Sequence, residues 1–200
     1  MTFQKYPLKI QIILGLVFIP VNYFTCILFT SIFKTSLFMD MIFVYTASFF
    51  GIPCGIITGV GHSLLNSIFF NQSLMYSLYG ICCVSGTLLT WLIVTRYKDF
   101  SIIRLTLLFF ISTVVISLEG SIIYAVFFSE KLGVKDNPTV LFLTYNLVLQ
   151  NLGIQLSAFL ARLPVNLFDK AIAVFAGFGI FIGLDKIRKL FSPEQSNQEL

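Results

Sequence analysis

From Met41 to Thr95, fifty-five residues, this chain carries no Asp, Glu, Lys or Arg. Soluble domains average about one charged residue in four, so a run of that length excludes an ordinary water-soluble fold. Charge is scarce throughout: 11% of the 200 residues are charged against 57% hydrophobic, and the mean hydropathy is +0.92. The net charge of +4 comes from 13 Lys and Arg and 9 Asp and Glu, with the basic residues scattered between apolar runs. No basic block of the kind that contacts nucleic acid is present, whereas positive charges beside apolar runs are what membrane-boundary segments carry.

Other chemistry is scarce too. Histidine and tryptophan occur once each, as His62 and Trp91. A single imidazole excludes most histidine-built zinc sites, and no Cys, His and carboxylate cluster replaces it. There is no GxSxG, HExxH or Walker A motif. Enzymatic function therefore has no constellation to rest on, and no cofactor is expected. The four cysteines, Cys26, Cys54, Cys82 and Cys83, lie inside apolar runs without a CxxC pair and read as reduced, small apolar packers. No internal repeat is visible, so the inverted halves of many secondary transporters are not evident.

What the chain does have is long apolar runs: Ile10–Phe33, Met41–Phe70, Leu74–Thr95, Ile102–Phe128, Thr139–Ala161 and Val165–Leu184. A bilayer core about 30 Å thick takes about 20 apolar residues per helical crossing. The expected fold is an all-α, polytopic transmembrane bundle in one domain over residues 1–190, with a polar tail over 191–200. Ile10–Phe33 holds 24 uncharged residues, longer than the roughly 7–15 of a signal-peptide apolar core, and reads as a retained first span. Met41–Phe70 is long for one crossing and short for two. Its Gly51-Ile52-Pro53 breaks or kinks a helix, giving a short helix up to Phe50 and a second from about Gly55. Six spans with a bent second segment are the preferred reading, and seven remain open. Positive charges do not arbitrate, because both topologies place seven of thirteen on one side.

Within these runs a few residues stand out. Ala47, Gly51, Gly55, Gly59 and Ser63 place one small residue every four, a surface for close helix packing. Ala173, Gly177, Gly179 and Gly183 suggest a second such surface. Glu119 is the one acid deep inside a run; intramembrane carboxylates are expensive and face the bundle interior, and Ser112 lies seven residues earlier on the same face. In Thr139–Ala161, Asn146, Gln150, Gly153 and Ser157 share one helical face, and Asn151, Gln155, Ala158 and Arg162 an adjacent one. Amides in hydrocarbon need partners, so two such stripes point to a ligand-lined cavity built from Glu119, Asn146, Gln150 and Asn151. Pro164-Val165-Asn166 reads as a helix start at the membrane boundary, where proline's missing donor is harmless.

Two stretches also carry a resemblance. One is Leu37-Phe38-Met39-Asp40, followed by Phe49-Phe50-Gly51-Ile52-Pro53-Cys54-Gly55 through Gly59 and ending in Leu64-Leu65-Asn66. The other is Leu163-Pro164-Val165-Asn166-Leu167-Phe168-Asp169-Lys170. Together they resemble the signatures of the substrate-binding (S) components of energy-coupling factor transporters, the riboflavin type above all. The resemblance implies a helical protein of a cell membrane, bacterial in origin, that captures a vitamin or similar micronutrient. It further implies a coupling membrane subunit and ATPase subunits as partners. Related modules form membrane sensor regions of signalling proteins, so ligand sensing without transport is the alternative.

Overall fold

The computed structural model describes residues 6–34, 37–70, 73–98, 100–128 and 137–191. The polar tail expected after Phe191 lies outside them. The described residues form seven α-helices and no strand: α1 Leu8–Ile27, α2 Ile42–Phe50, α3 Ile52–Leu65, α4 Gly80–Ile93, α5 Ile102–Ile123, α6 Pro138–Leu149 and α7 Ile154–Phe191. π-helical turns extend α1, α3 and α5, and a 3₁₀ segment Leu74–Tyr79 leads into α4. Counting these extensions, five helical stretches among the described residues are long and apolar enough to cross a membrane: Leu8–Ile32, Ile52–Phe69, Leu74–Tyr97, Ile102–Phe127 and Ile154–Arg188. Their outward sides carry large apolar residues such as Leu16, Phe24, Ile103 and Phe168, the inverse of a soluble surface and the arrangement lipid requires.

Contacts between residues fix the directions. Gly15 meets Ile57 and Gly61 meets Ile19, so α1 and α3 run parallel. Gly55 meets Thr87 and Gly59 meets Cys83, which sets α4 antiparallel to α3. Ser85 bonds Glu119, and Arg104 bonds the Ile93 carbonyl, so α5 runs opposite to α4. Ser117 pairs with Asn166, and Phe109 meets Phe175, so α7 runs opposite to α5. Consequently α1, α3 and α5 finish at the end of the bundle where α4 begins, the upper end.

The stretch expected to be one bent span is instead a reversal. Gly51, with φ of 150°, ends α2 and starts α3. Gly55 then meets Ser48, and Gly59 meets Val44, so the two helices pair antiparallel about that single residue. An L side chain is strained at this φ, and a Cβ there would also run into the Gln11 amide. Pro53 falls in the first turn of α3, where its missing donor does no harm. The chain reaches α2 by a non-helical descent through residues 37–41. The Phe38 carbonyl lies beside the Cys26 thiol, Asn22 bonds the Asp40 carbonyl and the Phe43 amide, and Gly51 lies at Gln11. Residues 38–51 thus follow α1 backwards from Cys26 to Gln11, about 22 Å at 1.5 Å per residue.

Eight of the nine α2 residues are buried, so this helix is enclosed on every side. Phe49 and Phe50 pack with Phe178 and Phe181 of α7, and Phe50 meets Tyr6 edge-on at 4.9 Å. At this lower end the Tyr6 hydroxyl donates to the Asp185 carboxylate at 2.5 Å. Burial, reinforced by that carboxylate, pushes the Tyr6 phenol above its ordinary range.

Two further expectations are corrected. Thr139–Ala161 is not one span: α6 ends at Leu149, and the chain turns through residues 150–153 with Asn151 at φ 64°. Pro164 is not a helix start but lies ten residues into α7, which runs on for 38 residues. Tertiary packing holds the helix through the missing backbone donor, a tolerance common in membrane helices. Of the second small-residue surface, Ala173 is buried and Gly177 meets the Ile42 carbonyl, while Gly179 and Gly183 face open space.

Candidate functional site

The upper half of the bundle holds a half-open cavity of about 690 Å³. Three helical segments and one non-helical segment supply most of its polar wall. α3 and its extension contribute His62, Ser63 and Asn66, with His62 and Asn66 one turn apart; α7 contributes Arg162, Asn166 and Lys170 at successive turns; Tyr76 and Tyr79 come from the 3₁₀ segment, and Asp40 from residues 37–41. Cys26, Met41, Cys82 and Ile116 add apolar surface.

The floor of this cavity is a charge cluster. Lys170 Nζ donates to Asp169 Oδ2 at 2.6 Å and lies 3.4 Å from Asp40 Oδ1. Asp169 is wholly buried, and its other oxygen accepts the Met39 amide at 2.6 Å. Both Asp169 oxygens therefore accept donors, as an ionised carboxylate does. Met39 sits at φ 51°, an uncommon conformation for a residue other than glycine, and Asp169 is the group that clamps it. The amino end of α2 opens at the same level, and the partial positive charge of a helix start favours carboxylates there. Lys170 is 1% exposed. A lysine so placed needs partners, since an isolated ammonium in an apolar interior is prohibitively costly.

Above the floor, several polar atoms are held without being spent. Asn166 is 2% exposed; its amide nitrogen donates to Ser117 Oγ at 2.9 Å, while Oδ1 has no partner. His62 is also 2% exposed, and its Nδ1 has no partner. Arg162, 2% exposed, donates to the Tyr79 hydroxyl at 3.3 Å and stacks over the Tyr124 ring at 5.1 Å. Gly120 gives the guanidinium room, because a Cβ there would come 3.1 Å from Arg162 Nε. Buried polar atoms are normally paired; Asn166 Oδ1 and His62 Nδ1 are exceptions on the cavity wall, as are Gln11 Oε1 and Thr144 Oγ1 away from it.

The residues that the sequence singles out for ligand contact fall elsewhere. Glu119 turns from the cavity toward α4, where Ser85 Oγ donates to its Oε1 at 2.5 Å; its neighbour Gly120, not Glu119, lines the cavity. Asn146 donates to the Phe142 carbonyl of its own helix. Gln150 and Asn151 are exposed in the turn after α6. These four residues are not brought together. The small residues Gly55, Gly59 and Ser63 lie together on α3 against α4, whereas Ala47 belongs to α2 and Gly51 to the reversal. Ser63 approaches Cys83 Sγ at 3.8 Å and also reaches the cavity.

Sequence reasoning passed over Arg162, Asn166 and Lys170 as a set. Their spacing of four was legible, but starting a helix at Pro164 divides Arg162 from the other two. Asp40 was legible as the last charge before the long uncharged run and as part of the Leu37-Phe38-Met39-Asp40 stretch, neither of which marks it as a cavity residue. Among the described residues no group of His, Cys, Asp and Glu is placed to hold a metal ion. All four cysteines are buried and unbridged. Comparison of the chain with protein-family models, with curated proteins and with solved structures gives no match.

Proposed function

We propose that this chain is the membrane-embedded solute-binding component of an energy-coupling factor transporter, which holds a vitamin or similar micronutrient in the upper cavity. The observation that carries the reading is the convergence of His62, Asn66, Arg162, Asn166, Lys170 and Asp40 on one half-open cavity of about 690 Å³ inside an apolar bundle. That size lies within the roughly 300–1,000 Å³ of ordinary small-molecule sites. Hydrocarbon offers polar side chains no partners, so such residues gather in a membrane helix where a polar solute or water meets them. The residues quoted for the resemblance, Asp40, Asn66, Asn166 and Lys170, stand on this cavity, which lends the reading weight. In this reading, as the resemblance implies, release of the solute inward falls to a coupling membrane subunit and ATPase subunits, in keeping with a sequence that carries no Walker A motif.

Mass spectrometry of small molecules retained by the protein, purified in mild detergent, tests this. A single vitamin-like compound released on denaturation, and lost from an Asn166→Ala preparation, is the expected result. A preparation that retains lipid alone and binds no compound from a cell extract overturns the proposal.

A further inference from the structure

Resting on the reading of the cavity as a solute site, the chemistry of its floor narrows what the solute must carry. Asp40, Asp169 and Lys170 place two carboxylates beside one ammonium. Lys170 gives its 2.6 Å bond to the fully buried Asp169 and only a 3.4 Å approach to Asp40. Asp40 is therefore the carboxylate left over, and its side chain is 32% exposed on the cavity wall. The start of α2 offsets about half a charge of this excess, which leaves the floor negative. Beside it stand Asn166, with a free amide oxygen, and His62, with a free ring nitrogen; each is 2% exposed and lines the same space.

We infer that the solute carries a cationic nitrogen group with several N–H donors, an amine or an amidine-like group, and seats it against Asp40, Asn166 and His62. The carboxylate supplies the charge, and the amide oxygen and a neutral imidazole nitrogen are acceptors for the remaining hydrogens. An anion at this spot meets the Asp40 carboxylate and the Asn166 amide oxygen, and the cation beside them, Lys170, already gives its bonds to Asp169 and Asp40. The cavity's other cations stand apart from the floor. Arg162 is one turn, about 6 Å, above Asn166 and about 12 Å from Lys170 along the axis of α7, and its guanidinium is turned to Tyr79 and Tyr124; Lys34 is exposed at the upper end. They border whatever part of the solute lies nearer the mouth.

Three probes of one shape separate the possibilities on the full-length protein in detergent: benzamidine, a planar cation with N–H donors; benzamide, neutral; and benzoate, an anion. Calorimetric titration is expected to give benzamidine at least tenfold tighter binding than benzamide and no detectable heat with benzoate. Asp40→Asn is expected to weaken benzamidine binding at least tenfold. Asn166→Ala, expected to weaken it several-fold, serves where Asp40→Asn does not fold. Benzoate binding as tightly as benzamidine, or benzamidine affinity unchanged in both variants, overturns the inference while leaving a solute site in place. Absence of binding by all three probes also overturns it, and the retained-compound measurement then decides separately whether the cavity holds a solute.

Discussion

Lys170 is a long cation held at 1% exposure between Asp169 and Asp40. Removing one member of a buried ion pair strands the other, a loss of about 3–5 kcal/mol. Lys170→Met is accordingly expected to lower the thermal midpoint in detergent sharply, while Lys98→Met at an exposed loop position leaves it within a degree or two; equal midpoints for both would show that the cluster does not hold the bundle. Glu119 makes a different case. Its carboxyl takes the Ser85 hydroxyl at the α4–α5 contact, so Glu119→Ala removes a bond between helices. A net loss of about 0.5–1.5 kcal/mol is typical of such a bond, with retention of the cavity compound unchanged. Loss of the compound from a still-folded Glu119→Ala protein would return Glu119 to the ligand site. At this scale the sequence is partly legible. A lone acid in hydrocarbon must find a partner, and Glu119 does, but composition does not tell whether that partner is a solute or a serine on the next helix.

At the scale of elements, the close approaches of α3 set the strongest constraint. A Cβ at Gly55 would fall 2.5 Å from Ser48 Oγ, and one at Gly59 would fall 2.5 Å from Cys83 Cβ, whereas Gly153 has nothing within 4 Å. Gly55→Leu and Gly59→Leu are each expected to destabilise by at least the roughly 1–3 kcal/mol of ordinary overpacking, and Gly153→Leu by far less. Thermal unfolding in detergent reads the difference, and similar small effects at all three sites would contradict the α3–α4 contact. Helix existence was well marked by the apolar runs, and Gly51 with Pro53 correctly signalled a break. What could not be read was its angle. A kink and a full reversal share the same residues, and the choice depends on whether α3 finds its partner in α2. Pro164 misled for the opposite reason: an isolated proline favours a helix start, but packing of Arg162, Asn166 and Asp169 against α5 and residues 37–41 carries α7 straight through it.

For the whole molecule, the helix directions predict sidedness. Thiols introduced as Lys34→Cys and Ser73→Cys lie at the upper end, and Tyr97→Cys and Lys98→Cys at the lower. In intact cells a membrane-impermeant thiol reagent is expected to label one pair and spare the other; the four natural cysteines are buried and give a low background. Opposite labelling of Lys34→Cys and Ser73→Cys would overturn the parallel order of α1 and α3. Affinity purification from native membranes addresses partners: ATPase and coupling subunits are expected, and recovery of a kinase in their place would favour the sensing alternative. The enclosed α2 also bears on how the protein is made. Nine residues span about 13.5 Å, less than half of a bilayer core of about 30 Å. The machinery that releases spans sideways into lipid has no reason to handle Ile42–Phe50 as one. Nor does lipid offer this segment a resting place with residues 37–41 left unpaired. Burial of residues 37–50 is complete only once α7, more than a hundred residues later in the chain, has packed against α2, so the Asp40 side of the cavity cannot close before the last helix has been synthesised.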